Sequence, residues 1–280
     1  MARRALLIGI NKYLIAGADL RGCVNDVTDL SGVLTEFGGF KKSDITLLTD
    51  KAATKKAMMS GIQNLLKASK KGDVALIHYS GHGSHVPDDE PPDEADGRDE
   101  ILCPTDLNWD DTMRDDWLRT TFDSVAAGVN LTVIMDCCHS GSNTRAIGPP
   151  DERVKERFLP SPWDIAAEES GRSIPKKVGA QLRRSKRSAR STTDIVNADI
   201  PELLITGCRD TQTSADAFID GRYNGALTWG LVQAIRQAKG DLTYRELHQR
   251  ASAVLKKKKF EQVPQLESRK AQFDWPLFSA

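Results

Sequence analysis

The chain has 280 residues, and its 39 lysine and arginine residues balance 39 aspartate and glutamate residues. With 39% hydrophobic residues, it suits one large α/β domain or two small ones with a sizeable core. The even charge excludes an overall bias towards nucleic acid or membrane surfaces. No apolar run approaches the roughly 20 residues of a membrane span, and residues 5–10 are too short for a signal peptide.

Cysteine usage indicates the compartment. The five cysteines are an odd number without a CxxC pair, so we expect neither a disulfide framework nor a four-thiolate zinc site. We therefore predict a cytoplasmic protein with reduced thiols.

Charge is uneven along the chain, although the totals balance. An acidic stretch lies at residues 88–100 and a basic stretch at residues 176–190.

Apolar patterns predict strands that alternate with helices. Five short apolar runs are typical of buried strands: residues 5–10, 45–48, 74–79, 131–135 and 203–207. Four segments have helical spacing: residues 25–37, 53–70 (with Thr54 as N-cap), 225–238 and 243–255. This alternation predicts a mostly parallel sheet with helices on both faces. Residues 148–198 break the pattern with five prolines and predict a long loop.

Two strand ends carry reactive residues. His82 lies between two glycines directly after one predicted strand, and Cys138 follows another and precedes His139-Ser140-Gly141. Because ligand sites in open parallel sheets form at the carboxyl ends of strands, we expect these two side chains to meet. A thiol beside an imidazole base, with glycines that let a substrate approach, is the arrangement of a cysteine nucleophile.

Two other interpretations apply to these residues. A lone histidine or cysteine beside a strand is usually structural. A zinc site could also be built from His78, His82, His85 and Cys138, but a strand followed by Gly-His-Gly does not put His78 and His82 on one helical face. The paired strand-end positions favour the nucleophile and its base, with Cys138 following His82 by 56 positions.

Seven segments resemble one family of cysteine peptidases. YSGHGS (79–84) and DCCHSG (136–141) resemble the active-site boxes of clan CD, family C14, specifically the metacaspases and related bacterial orthocaspases. Five more segments extend the resemblance over residues 4–143 and 200–238: ALLIGINKY, LRGCVNDV, DEILCPTD, GCRDTQTSADA and NGALTWGL. The resemblance implies a caspase-like three-layer sandwich. It also implies a single peptidase domain over residues 1–280, with a large-subunit-like region (1–145), a linker (146–199) and a small-subunit-like region (200–280).

The resemblance also implies roles for individual residues. Cys138 is the expected nucleophile and His82 its base, working as a dyad, with Cys137 packed behind. The backbone N–H groups of Gly83 and Cys138 are the expected oxyanion donors. Asp26, Asp136, Cys23 and Ser80 are expected to line the pocket for the residue before the scissile bond. Two carboxylates there favour Arg or Lys, although Asp26 could instead cap a helix.

Calcium is the one cofactor that the resemblance implies. Many metacaspases need this cation, and the matching carboxylates are Asp99, Asp115 and Asp116, while a fourth family ligand position holds Arg145. Asp115 and Asp116 could also simply begin a helix.

The basic linker supplies candidate bonds for self-processing. They follow the basic residues of one short segment: Arg183, Arg184, Lys186, Arg187 and Arg190. The predicted function is therefore a calcium-stimulated, self-processing cysteine endopeptidase that cleaves protein or peptide substrates after Arg or Lys, without nucleic-acid or membrane partners. The alternatives are a catalytically silent caspase-homology scaffold that acts by association, and a regulator of nucleic-acid machinery that acts through the basic linker.

Overall fold

The computed structural model describes residues 1–88, 97–139, 153–169, 194–196, 200–209 and 212–279, with the backbone alone for residues 194–196. Its strands run in chain order as follows: β1 (Arg3–Gly9), β2 (Ile45–Thr49), β3 (Val74–Ser80), β4 (Gly83–Pro87), β5 (Arg98–Leu102), β6 (Met113–Arg114), β7 (Asn130–Asp136), β8 (Val154–Glu156), β9 (Asp194–Val196), β10 (Leu203–Thr206), β11 (Ala215–Ile219), β12 (Arg222–Gly225) and β13 (Gln265–Ser268). Its α-helices are α1 (Cys23–Glu36), α2 (Lys55–Ala68), α3 (Asp115–Asp123), α4 (Pro162–Glu169), α5 (Ala226–Ala238) and α6 (Tyr244–Lys257). None of these described helices is both long and apolar enough to cross a bilayer.

Seven strands form the central sheet in the order β2-β1-β3-β7-β10-β13-β9. The pairs from β2 to β10 are parallel, whereas β13 runs antiparallel to β10. Strands β3 and β7 are buried along their whole length, as expected for parallel strands covered on both faces. The prediction of a mostly parallel sheet is confirmed.

Alternate residues of each strand point to opposite faces and build two cores. On one face, Leu6 and Ile8 of β1 pack in a cluster that includes residues of α2 and α3. On the other face, Ala5 and Leu7 pack in a cluster with α1, α5 and α6. The sheet therefore lies between two helical layers, which is the predicted three-layer sandwich.

Several local predictions are confirmed to within a few residues. Helix α2 has Thr54 as its N-cap, whose hydroxyl accepts a hydrogen bond from the N–H of Ala57. The predicted helix at 243–255 is α6, which begins with a reciprocal hydrogen-bonded cap between Thr243 and Glu246. Two small antiparallel sheets were not predicted: β4-β5-β6 and β12-β11-β8.

Strand β8 and helix α4 lie between residues 146 and 199, where the sequence predicted only a long linker. Strand β8 pairs antiparallel with β11, so that Asp216 lies opposite Lys155. Residues 153–159 thereby run across the carboxyl ends of the central strands, which are the predicted location of the site.

Candidate active site

The pairing of β3 with β7 brings His82 and Cys138 to the same edge of the sheet. Ser80 lies opposite Asp136 in the parallel register, as the last residue of each strand. His82 and Cys138 each lie two residues beyond the ends of these neighbouring strands. The register therefore accounts for the proximity that was expected from the sequence.

The imidazole of His82 is buried and oriented by a backbone carbonyl. Its Nε2 lies 2.7 Å from the carbonyl oxygen of Ala18, which can only accept, so Nε2 carries the proton. Nδ1 is buried without a hydrogen-bond partner. Burial lowers the pKa of His82 to about 4, so the ring is neutral at pH 7 and Nδ1 offers a free lone pair for a proton.

The thiol of Cys138 contacts the backbone of Ser214. Its Sγ accepts a hydrogen bond from the Ser214 N–H and lies 4.0 Å from the Sγ of Cys208. Burial raises the pKa of the Cys138 thiol, and the neighbouring Cys208 adds to that effect. No hydrogen bond joins Cys138 to His82 among the described contacts. Proton transfer between them requires the thiol to turn away from Ser214.

Two backbone N–H groups converge on one oxygen atom beside the thiol. The N–H groups of Gly83 and Cys138 both donate to the carbonyl oxygen of Arg157, at 3.0 and 3.3 Å. A side chain on Gly83 would overlap the carbonyl group of Cys138, so a residue without Cβ is needed at this position. The two donors expected from the sequence therefore share one acceptor, and that acceptor belongs to the chain itself.

Residues 153–159 cross the site as an extended peptide. Before Arg157, β8 pairs with β11 and the Arg157 N–H donates to the Ser214 carbonyl oxygen at 3.0 Å. After Arg157, the Leu159 N–H donates to the carbonyl oxygen of Gly83 at 2.9 Å. The Arg157 carbonyl group thus lies between two stretches of backbone pairing, beside Cys138.

The side chain of Arg157 fills a pocket of three carboxylates and is fully buried. Its guanidinium donates to the Asp26 carboxylate at 2.8 Å and to the Asp216 carboxylate at 3.1 Å. It also lies 3.3 Å from the Asp136 carboxylate. The Ser80 hydroxyl accepts from the guanidinium at 2.8 Å and donates to Asp26 at 2.7 Å. An arginine side chain and this pocket are complementary in charge and in hydrogen bonding.

Comparison with known proteins agrees with these features. A family model described as metacaspase, peptidase C14 domain, matches residues 3–146. The chain belongs to the metacaspase family. It is 33% identical to Metacaspase-1A of Neurospora crassa over 95% of its own length and 62% of that protein. It therefore spans about three fifths of that relative.

Two solved structures resemble the fold. A Geobacter sulfurreducens protein of known crystal structure is 26% identical and superposes with a TM-score of 0.68, over 100% of this chain and 99% of that one. Caspase-1 from Spodoptera frugiperda is 14% identical and superposes with a TM-score of 0.55, over 96% of this chain and 91% of that one. Membership of the metacaspase family indicates a cysteine-type peptidase, and the likeness to the caspase shows the fold alone.

The pocket residues predicted for this metacaspase lie together. Asp26 is in the first turn of α1, whose N-cap is Gly22, so Asp26 is not a helix cap. Burial raises the pKa of Asp26 to about 6, an effect that Arg157 opposes and Asp136 reinforces. Cys23 is fully buried one turn before Asp26. Burial raises the pKa of its thiol, and Arg157 is close enough to oppose that shift.

Asp216, Gly225 and the carbonyl of Ala18 are among the contributors to the metacaspase site that were missed from the sequence. Asp216 is held by the N–H groups of Arg21 and Gly22, at 2.8 and 2.9 Å. Gly225 leaves room in the pocket, because a Cβ there would overlap the Asp136 carboxylate and the Arg157 guanidinium. Both lie in segments that carry the family resemblance, which was the available signal. The carbonyl of Ala18, by contrast, has no side-chain signature.

The carboxylates predicted to bind calcium lie near one another but do not form a complete ligand set. Asp99 forms an ion pair with Arg114, and Asp115 and Asp116 lie in the first turn of α3. One oxygen of Asp99 and one of Asp115 are buried without a hydrogen-bond partner. Within the part of the chain that the structure describes, no group of three potential ligands could hold a metal ion. Arg145 lies outside that part.

The residues of the alternative zinc site are engaged elsewhere. His78 is hydrogen-bonded to the Thr228 hydroxyl at 3.0 Å, and His85 to Asp164 at 2.9 Å. The five residues predicted as self-processing sites, Arg183, Arg184, Lys186, Arg187 and Arg190, lie outside the described residues.

The buried arginine generates a prediction about stability. Arg157→Ala leaves three buried carboxylates without their cation, so we expect it to lower the free energy of unfolding by about 3 kcal/mol. Arg153→Ala makes the same change at an exposed position and should have a smaller effect, within about 1 kcal/mol, as for charged side chains at the surface. Urea unfolding measures both, in proteins that also carry Cys138→Ala to prevent proteolysis. Equal losses from the two variants would contradict the arrangement.

Proposed function

We propose that this chain is an endopeptidase that cleaves peptide bonds after Arg or Lys, with Cys138 as nucleophile and His82 as base. One observation carries the proposal. Arg157 has its side chain in the three-carboxylate pocket and its carbonyl oxygen on both the Gly83 and Cys138 N–H groups. This is the position that a substrate residue needs in acyl transfer, because the carbonyl oxygen that becomes negatively charged already faces two donors.

The chemistry follows from these positions. The thiol turns from Ser214, gives its proton to Nδ1 of His82, and its sulfur attacks the carbonyl carbon. The carbonyl electrons move to oxygen, where the two N–H groups stabilise the charge. The C–N bond then breaks, and His82 gives the proton to the leaving amine. Water hydrolyses the thioester with His82 as base, which releases the carboxylate and restores the thiol.

Specificity follows from the unequal charge of the pocket. Asp26, Asp136 and Asp216 face one cation, so a substrate Arg or Lys supplies the missing positive charge. A substrate Asp would add a fourth carboxylate to a buried site. The scaffold alternative is disfavoured, because two backbone N–H groups converge on one carbonyl oxygen beside Cys138. The basic stretch at residues 176–190 lies outside the described residues. The cytoplasmic location stays a prediction, with which the five free cysteines agree.

The nucleophile, base and pocket can be tested with one set of fluorogenic peptides. Cys138→Ala and His82→Ala should each abolish hydrolysis of Arg- and Lys-ended peptides, whereas Cys137→Ala should retain most of it. Asp136→Asn should lower kcat/KM for Arg peptides by about tenfold or more, because one of the three negative charges that face the substrate cation is lost. Asp-ended peptides should remain uncut. Circular dichroism checks that each variant is folded. Equal loss in folded Cys137→Ala, or preferential cleavage after Asp, would refute the assignment.

We further propose calcium stimulation through Asp99, Asp115 and Asp116. Burial raises the pKa values of Asp99 and Asp115 to about 6, and neighbouring carboxylates contribute to both shifts. A hard divalent cation would relieve this repulsion and satisfy the two buried oxygens that lack partners. Because the described residues form no ready-made metal site, the three carboxylates would have to move together to hold the cation. A cavity of about 250 Å³ is lined by Asp115, His139 and Cys138, so Asp115 faces the same cavity as the nucleophile.

Calcium should therefore raise peptidase activity and the melting temperature of the enzyme. Asp115→Ala and Asp116→Ala should remove both responses, and chelator should reverse them in the wild type. The melting temperature, measured in Cys138→Ala protein, reports binding independently of catalysis. Full turnover in excess chelator, with no change in melting temperature on adding calcium, would eliminate calcium as an activator.

Self-processing is part of the same proposal, and the occupant of the cleft supports a particular bond. The Arg157–Phe158 bond is the one whose carbonyl oxygen contacts both N–H groups. Its flanking residues pair with β11 on one side and with Gly83 on the other. The five basic residues of the segment 183–190 stay predicted sites, but Arg157 is the basic residue that already occupies the pocket.

We expect the wild-type enzyme, under conditions in which it hydrolyses peptides, to yield a fragment that ends at Arg157 and one that begins at Phe158. Arg157→Ala should abolish this cut and Arg153→Ala should leave it in place. Mass spectrometry of the intact proteins identifies the bond, and also reveals any cut after residues 183–190. The same Arg157–Phe158 cut in Cys138→Ala protein, or an uncut wild type with full peptidase activity, would disprove self-processing at this bond.

A further inference from the structure

Two residues beyond Arg157 are held by strand β4. Phe158 forms a parallel β-bridge with Gly83, and the Leu159 N–H donates to the Gly83 carbonyl oxygen at 2.9 Å. Gly83 thus contacts both sides of the Arg157–Phe158 bond, since its own N–H contacts the Arg157 carbonyl. Strand β4 is therefore the wall of the cleft along which the chain leaves the reacting bond.

The hydroxyl of Ser84 contacts the second of these residues. Ser84 is fully buried, and its Oγ donates to the carbonyl oxygen of Leu159 at 2.6 Å. Together with Gly83, it satisfies both backbone polar groups of Leu159. This hydroxyl contacts a residue that follows the reacting bond. Ser84 therefore belongs to neither the dyad, the oxyanion donors nor the arginine pocket.

The two side chains after Arg157 also find partners. The ring of Phe158 lies against the imidazole of His85, with centroids 5.5 Å apart. Leu159 is partly buried and packs against the core cluster shared by α2 and α3. The ring of His85 is fixed by the carbonyl oxygen of His139 at 3.0 Å, by Asp164 at 2.9 Å and by the guanidinium of Arg98, so it is a preformed surface for an aromatic side chain.

We propose that residues 83–85 of β4 form a binding site for the two substrate residues after the scissile bond, with preference for an aromatic residue followed by leucine. Ser84 is the binding residue that holds the carbonyl of the second one. This inference rests on the proposed function, because it concerns substrates of the same peptidase. It extends the recognised sequence from a single Arg or Lys to a basic residue followed by two apolar ones.

Two substrates that share residues before the scissile bond separate this site from the arginine pocket. One is an internally quenched peptide that contains Val-Lys-Glu-Arg-Phe-Leu-Pro, the sequence of residues 154–160. The other carries Val-Lys-Glu-Arg on a coumarin amide, which has no residues to contact β4. In Ser84→Ala, the ratio of kcat/KM for the quenched peptide to kcat/KM for the coumarin peptide should fall roughly three- to tenfold, the effect of one hydrogen bond.

Ser69→Ala is the matched control. Ser69 is also buried, and its hydroxyl also donates to a backbone carbonyl, that of Leu65 at 2.8 Å, but it lies at the end of α2. This variant should leave the ratio unchanged. An unchanged ratio in Ser84→Ala, through equal loss or no loss on both substrates, would overturn the proposal. Failure of the wild type to cut either peptide would instead refute the proposed function.

The side-chain preference is tested by replacing Phe-Leu with Ser-Ser in the quenched peptide. The wild type should lose about tenfold in kcat/KM, because the apolar contacts with His85 and the core are lost. Equal kcat/KM values for the two quenched peptides would contradict an apolar site on β4.

Discussion

The structure depends on a buried ion cluster in which one guanidinium faces three carboxylates. Asp26 comes from α1, Asp136 from the end of β7 and Asp216 from β11. Removing these charges from water is costly, and the cost is recovered only when they are paired in good geometry. Each carboxylate also accepts hydrogen bonds from fixed groups, as Asp136 does from the N–H and hydroxyl of Thr228. The three carboxylates are therefore held in fixed positions, and the side chain of an arginine supplies positive charge to balance them.

The same cluster joins the two parts of the chain that flank the segment 153–159. Asp26 accepts from the Gly225 N–H at 2.9 Å, and Asp216 accepts from the N–H groups before α1. These contacts link residues almost 200 positions apart on opposite sides of the Arg157–Phe158 bond, and none of them involves the two residues of that bond. A chain broken at that bond retains them. An external peptide, however, has to displace Arg157, which is attached to Cys138 through only 19 positions and therefore returns at a high effective concentration.

The strands and helices that could be predicted from the sequence were those with a clear local pattern of apolar residues. Apolar runs and helical spacing located five of the seven described central strands and four of the six described α-helices. The two strand ends with adjacent glycines located His82 and Cys138. Resemblance to the metacaspases brought Asp26 and Asp136 together. What the sequence could not give was the occupant of the pocket. Arg157 is one of many basic residues between prolines, and its burial depends on pairing between β8 and β11, which have no signature outside the fold.

The loop before α1 uses main-chain oxygens in place of side chains. The carbonyl of Ala18 orients His82, while those of Gly17 and Asp19 accept from the ammonium of Lys155 at 2.7 and 2.8 Å. Three successive peptide groups thus hold the base on one side and the bound segment on the other. Because a carbonyl is present whatever residue occupies the position, substitutions can alter this loop only by bending its path. We therefore expect this loop to tolerate side-chain substitutions that keep its backbone conformation. Insertion or deletion of a residue would move the carbonyl groups and disturb the site more.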